Sequence, residues 1–343
     1  MRTSELASPT RIAVIGIVGM AGLGVGLGLH ASQPPAQTAP VADLPAPPPP
    51  PAPERAVAQQ AATPSDQLLF VFDVRGRAYV QLAALDRVPH VHPRLVHEDT
   101  DEVAIAALPA WIRSDEQRAW LGTKVEVDSE CIATIDQLDV IARVTGDAGY
   151  ADEHSDEWTA DAVVAHGKVM LAARLDHCDG RYARPLALGH VIAFDDAHDD
   201  ALAGQARAQL FGSAAARAID ARWNFAQDGN WRKDVPVDTL IERDPVTGDT
   251  YASVHVHTGF GCGGPDVNLW GLYRRDADGH VAQLELRELD EQEVISIDRL
   301  LDVGNDGRVE VLAKTDLGLD TVLMRSGGEV LGELELPYFG CPC

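Results

Sequence analysis

The sequence predicts an α+β chain in two halves: a mixed α+β first half, followed by an antiparallel β-meander folded as a sandwich, a barrel or a propeller-like sheet. Three observations predict it. Between 67 and 198, helix caps and strand-like runs alternate without the even β-α-β rhythm of a doubly wound sheet. Between 223 and 343, short alternating runs follow one another with turn residues between them. An Ala-rich stretch at 199–222 joins the two, with Leu202, Ala206, Leu210, Ala214 and Ala218 recurring at helical spacing.

Taken in order, the chain opens on a leader. Residues 12–29 are all apolar or Gly, preceded by Arg2 and Arg11. Residues 1–31 therefore read as a signal peptide cut after Ala31, or as an N-terminal membrane anchor with its basic flank inside. Either form places the rest of the chain at the cell envelope, on the periplasmic or extracellular face, anchored or secreted. Residues 32–66 are rich in Pro and Ala, and Pro47 to Pro51 are unbroken proline. Such a segment is a disordered stalk, extending ~3.1 Å per residue where it is polyproline II.

Composition narrows the partners. The formal net charge is -25, and the lysines are Lys124, Lys168, Lys233 and Lys314. No stretch gathers a basic stripe, which excludes nucleic acid as a partner. An acidic envelope protein suits divalent cations or an envelope partner with basic character. The five cysteines are Cys131, Cys178, Cys262, Cys341 and Cys343. In an oxidising compartment they pair. The expected bridges are Cys131–Cys178 and Cys262 with Cys341 or Cys343, leaving one thiol over.

In the first half, Leu68 to Phe72 open a buried strand that turns at Arg75-Gly76-Arg77 into Ala78 to Ala83. Ser114 and Gln117 form a capping box for a helix closed by Gly122. Ser155 is expected to cap a second helix that ends before Gly167. Strands are read at 124–128, 138–144 and 168–175. Asp195, Asp196, Asp199 and Asp200 precede the Ala-rich helix, where their charge complements its dipole. Gly204 and Gly212 weaken or kink that helix before Arg222.

In the second half, strands are read at 238–243, 250–257, 267–274, 280–288, 293–301, 308–314, 319–325 and 329–336. The turn signals are Asp244 to Asp249, Asp276 to Gly279 and Gly327-Gly328.

Four constellations could carry chemistry. His90-Val-His92, followed by His97 and an acidic run, has a usable ligand spacing but sits between Pro89 and Pro93, as a solvated loop would. His255-Val-His257 lies on a strand, where i and i+2 share a face, and is a candidate transition-metal pair. It is similar to the first motif of the cupins, although Gly261 or Cys262 stands where that motif carries Glu. The plain reading is an exposed face whose alternate Val254 and Val256 pack inward. Asp302, Asp306 and Glu310 are candidate calcium ligands in Asp302-Val-Gly-Asn-Asp306-Gly307-Arg-Val-Glu310. This stretch resembles the acidic hairpins of FG-GAP-type repeats. Ca2+ is accordingly the one candidate cofactor, and the plain reading is a metal-free Asn-Asp-Gly hairpin turn. Cys341-Pro-Cys343 could form a redox couple or join Cys262 and His257 around zinc.

No nucleophile elbow, P-loop, HExxH or dinucleotide fingerprint occurs. The expectation is an exported, membrane-tethered or secreted, non-enzymatic binding or structural module. The alternatives are a metal-dependent enzyme at His255/His257 and a calcium-stapled β module at Asp302/Asp306/Glu310.

Overall fold

The computed structural model describes residues 68–86, 91–98, 101–109, 115–225, 229–258, 267–289, 296–314, 321–325, 327 and 329–340. The leader, the stalk, His90, Ser114, Cys262, Cys341 and Cys343 lie outside the described residues, and with them the second expected disulfide and the Cys-Pro-Cys reading.

The first half is built on one closed ring of strands. β1 (Leu69–Asp73) pairs with β2 (Ala78–Ala84) across a turn in which Arg75 and Gly76 take φ of 53° and 70°. β2 continues to β7 (Lys168–Leu175), and β7 to β6 (Cys131–Gly146). β6 returns through β5 (Lys124–Val127) and β8 (Tyr182–Pro185) to β1. Six strands thus close into a barrel, which leaves no free edge within the ring. β6 also takes β4 (Asp101–Ala107), which carries β3 (Arg94–His97). Near its end β6 accepts the C-terminal β19 (Tyr338–Phe339) in parallel. Gly146 permits that approach: its φ is +98°, and a Cβ there would stand 1.8 Å from the Phe339 carbonyl oxygen. The predicted Cys131–Cys178 bridge is present and ties the start of β6 to the turn after β7.

Among the short helices of this half, the one assigned to Ser155 is capped by another residue. α1 is Asp115–Arg118, and the turn after it reaches Gly122 with φ +82°. α2 (Ala148–Ala151) is capped by Asp147. α3 (Ala160–His166) is capped by Thr159, not by Ser155, and ends at Gly167 as expected. Ser155 instead donates to the Glu157 carbonyl, because the chain between them bends before the helix begins.

The Ala-rich stretch is two helices. α4 (Asp200–Phe211) is capped by Asp199, whose carboxylate accepts the Leu202 amide at 3.0 Å. It stops at Gly212, and α5 (Ala214–Arg222) restarts with Ser213 as its own cap. Before them, β9 (Ile192–Ala193) and β10 (Asp195–Asp196) each add to a different sheet.

All eight strands read in the second half are present. β11 (Val237–Arg243), β12 (Thr250–His257), β13 (Asn268–Arg275) and β14 (Val281–Glu288) form one antiparallel meander with β10 on its outer edge. β15 (Ser296–Asp302), β16 (Glu310–Lys314), β17 (Thr321–Arg325) and β18 (Val330–Leu334) form another, edged by β9. The sheets stack face to face, so of the three arrangements anticipated it is the sandwich that forms.

Strand parity decides what each face touches. Leu301, Leu312, Leu323 and Leu334 point from β15–β18 onto Phe70, Tyr79, Ile141, Met170 and Tyr182, the outer face of the barrel. Leu300, Val311, Ala313 and Val322 point the other way, onto Tyr251, Trp270 and Leu272 of the neighbouring sheet. The far side of that sheet (Ala252, Val254, Val256, Leu269) packs against Leu202, Ala206 and Leu210 of α4 and Ile219 of α5. Each buried Leu, Ile or Val among them contributes about 1.5–3 kcal/mol. The layers run barrel, sheet, sheet, helices.

Candidate metal centre

β11 and β12 are paired without a slip, so Asp238 stands opposite His255. β13 then sets Trp270 opposite His255 and Asn268 opposite His257. Because Tyr251, Trp270 and Leu240 face the β15–β18 sheet, the side chains of matching parity face it too: Asp238, Glu242, Ser253, His255 and His257.

His255 is therefore not on an exposed strand face: only 1% of it reaches solvent. The sequence reading fails here because both faces of this sheet are covered, the valine face by helices and the histidine face by the second sheet. Val254 and Val256 pack inward as expected.

The two imidazoles stack with centroids 4.9 Å apart and planes 25° from parallel. His257 is partly open, and its Nε2 lies 3.6 Å from Oδ2 of the well-exposed Asp238. His255 Nε2 donates to Asn268 Oδ1 at 2.7 Å, which leaves Nδ1 as the bare lone pair. Nδ1 of His255 and Nδ1 of His257 are both buried without a hydrogen-bond partner among the described residues. A buried polar atom left in that state costs about 1–3 kcal/mol. One ligand atom from each of Asp238, His255 and His257 falls within 4.8 Å of the other two.

Burial pushes the His255 imidazole down to about 4. The Asn268 bond and the Asp238 charge pull it back up, while His257 adds to the depression. The ring is consequently neutral at physiological pH, the protonation state a metal requires.

Two other clusters offer three ligand atoms at similar range among the described residues, and both have another use. Cys131 and Cys178 beside His177 are joined as a disulfide, so they present no thiolates. Asp276, Asp278 and His280 form the β13–β14 turn, where Asp276 Oδ1 accepts the amides of Asp278 and His280.

The calcium candidates are not brought together as one shell. Asp302 accepts the amides of Asp306 and Gly307, and Asp306 accepts the amide of Arg308. Glu310 is 1% exposed and accepts the Val303 amide through Oε2 and Arg325 Nε through Oε1. Its carboxyl is raised by burial, against the pull of those two bonds. These carboxylates close the hairpin by themselves, with Asn305 and Gly307 at φ of 52° and 77°. In the first half, His92 is exposed and joins none of the clusters, while His97 pairs with Glu102 at 2.6 Å.

Sequence reasoning missed Asp238 and Asn268. The signal was the hairpin register: counting outward from the pair Arg243–Thr250 places Asp238 against His255. Comparison with protein-family models, curated proteins and solved structures finds no match to this chain.

Proposed function

We propose that this protein is an exported, non-enzymatic binding module, carried on its Pro/Ala-rich stalk and tethered or released at the envelope according to the fate of residues 1–31. The observation that carries the reading is the Cys131–Cys178 bridge, a type of crosslink that persists in oxidising compartments. The formal charge of -25 supports a cationic ligand or a basic partner. Against the barrel, an open groove of ≈ 550 Å³ lined by Leu108, Leu121, Leu138, Asp136 and Asp139 offers apolar contact beside carboxylates. Among the described residues no helix is long and apolar enough to cross a membrane, so tethering rests on the leader.

Thiol trapping of the full chain in fractionated cells tests export. Cys131 and Cys178 resist alkylation until a reductant is added, in the envelope or secreted fraction. A cytosolic chain with both thiols reactive overturns the reading. Reproducible metal-dependent hydrolysis by the purified protein, lost in His255→Ala, overturns its non-enzymatic part and leaves export standing.

A further inference from the structure

We propose that Asp238, His255 and His257 bind one late first-row transition ion, with zinc(II) the representative case. The proposal goes beyond export and holds whether the protein binds or transforms its partner.

Four observations carry it. The donor set is two imidazoles and one carboxylate, which suits zinc, copper, nickel or iron and not calcium, whose six to eight ligands are oxygens. The geometry is close to what an ion needs. A tetrahedral ion with bonds of about 2.1 Å holds its donors about 3.4 Å apart, and His257 Nε2 and Asp238 Oδ2 already stand 3.6 Å apart. One ligand atom from each of the three residues lies within 4.8 Å of the other two, and the exposed Asp238 and partly open His257 are the side chains with room to adjust.

The third observation is His255 itself. It is almost wholly removed from solvent, it is held in one tautomer, and its Nδ1 has no partner among the described residues. Buried polar atoms are paired as a rule, and an ion supplies the missing partner. The fourth is Asn268, whose Oδ1 accepts the His255 Nε2 proton. Metal-bound histidines regularly hand their other N–H to such an outer acceptor, which fixes the ring and leaves the opposite nitrogen free for the ion.

Three protein ligands leave a position for water or a partner group, on the side where Asp238 is exposed. The arrangement is therefore that of an open site, not of a closed structural one.

The test uses the full chain, stripped with EDTA and titrated with zinc(II) against a chromophoric chelator. Cobalt(II) is added in parallel, because its visible absorption reports nitrogen/oxygen or thiolate coordination. One equivalent is expected, without thiolate absorption. Asn268→Ala should weaken binding about 10- to 100-fold, and His257→Ala and Asp238→Asn should weaken it further. Asp238 is well exposed and His257 partly so, and urea unfolding in EDTA that matches the parent separates loss of the site from loss of the fold. No zinc binding within the chelator's range overturns the proposal. So does binding that is equal in all three variants, since the ion is then held elsewhere.

Discussion

Replacing Glu242 with Gln should raise stability at alkaline pH and flatten its pH dependence. Glu242 sits on β11, 1% exposed, on the face that meets the second sheet. Its Oε2 accepts the Leu300 amide of β15 at 2.7 Å. Its Oε1 makes no hydrogen bond, and Arg299 Nε stands 3.8 Å away without donating. Burial pushes the carboxyl up to about 7; Asp196 on β10 adds to the rise, while the Leu300 amide, Arg299 and Arg181 oppose it. With the folded value above the unfolded one of 4.5, the native state binds the extra proton between those limits. The group's stabilisation is full below about pH 4.5 and is lost as pH rises through 7. A shift of this size corresponds to roughly 3 kcal/mol. Gln keeps an oxygen for the Leu300 amide and cannot ionise. Urea unfolding followed by tryptophan fluorescence, at intervals from pH 5 to 8, measures the difference between variant and parent, in which other titrating groups cancel. The variant should gain about 2–3 kcal/mol on the parent across that range. A difference that stays flat, or that moves in the parent's favour as pH rises, refutes the argument.

Replacing both Cys131 and Cys178 with Ala should cost about 4 kcal/mol in denaturant unfolding, the loop-closure value for a separation of 47 residues. A loss under about 1 kcal/mol would show that pairing within the barrel already restrains the unfolded chain. Added calcium should leave the thermal midpoint unchanged, because the Asp302 and Glu310 carboxylates are already taken by amides and Arg325. A rise of several degrees that Asp306→Ala abolishes would restore the ion to that hairpin.

How much was legible in the sequence divides along the range of the interaction. The strands of the second half were read because their evidence is local. Alternation marks the runs, and the turns carry their own chemistry, as in Asp276 accepting two amides before Gly279 at φ +86°. The helix break was only half legible: a single helix weakened at Gly204 and Gly212 was expected, whereas α4 runs through Gly204, ends at Gly212 and gives way to α5 capped by Ser213. Barrel closure was not legible, because it depends on β6 being long enough to serve β5 at one end and β7 and β4 at the other. Nothing local in Cys131 to Gly146 says which neighbours it will take. Thr159 won the cap from Ser155 for a related reason. Both residues can cap, and the position of Trp158, buried with its Nε1 donating to the Gly146 carbonyl, sets where the helix begins.

The site illustrates the same division more sharply. The His255–His257 pair was visible, since two residues two apart on a strand share a face under any register. What that face met was not. An alternating pattern identifies the apolar side of a strand and leaves the other side to be taken as solvated. β12 breaks that inference: its second face carries Tyr251, Ser253 and His255, polar enough to read as exposed and yet buried. Some of the polar atoms there are placed against a neighbour by cross-strand position. Ser253 receives Trp270 Nε1 at 2.9 Å, and His255 reaches Asn268. Among the atoms left over are Nδ1 of the two histidines and Oε1 of Glu242. Glu242 and Asp238 lie four residues apart on one face of β11, so a single strand carries one carboxylate between the sheets and another beside His257. One is deep enough to hold a proton and one is open enough to meet a metal ion. Burial is the largest part of that difference, since the two side chains have the same chemistry and point the same way.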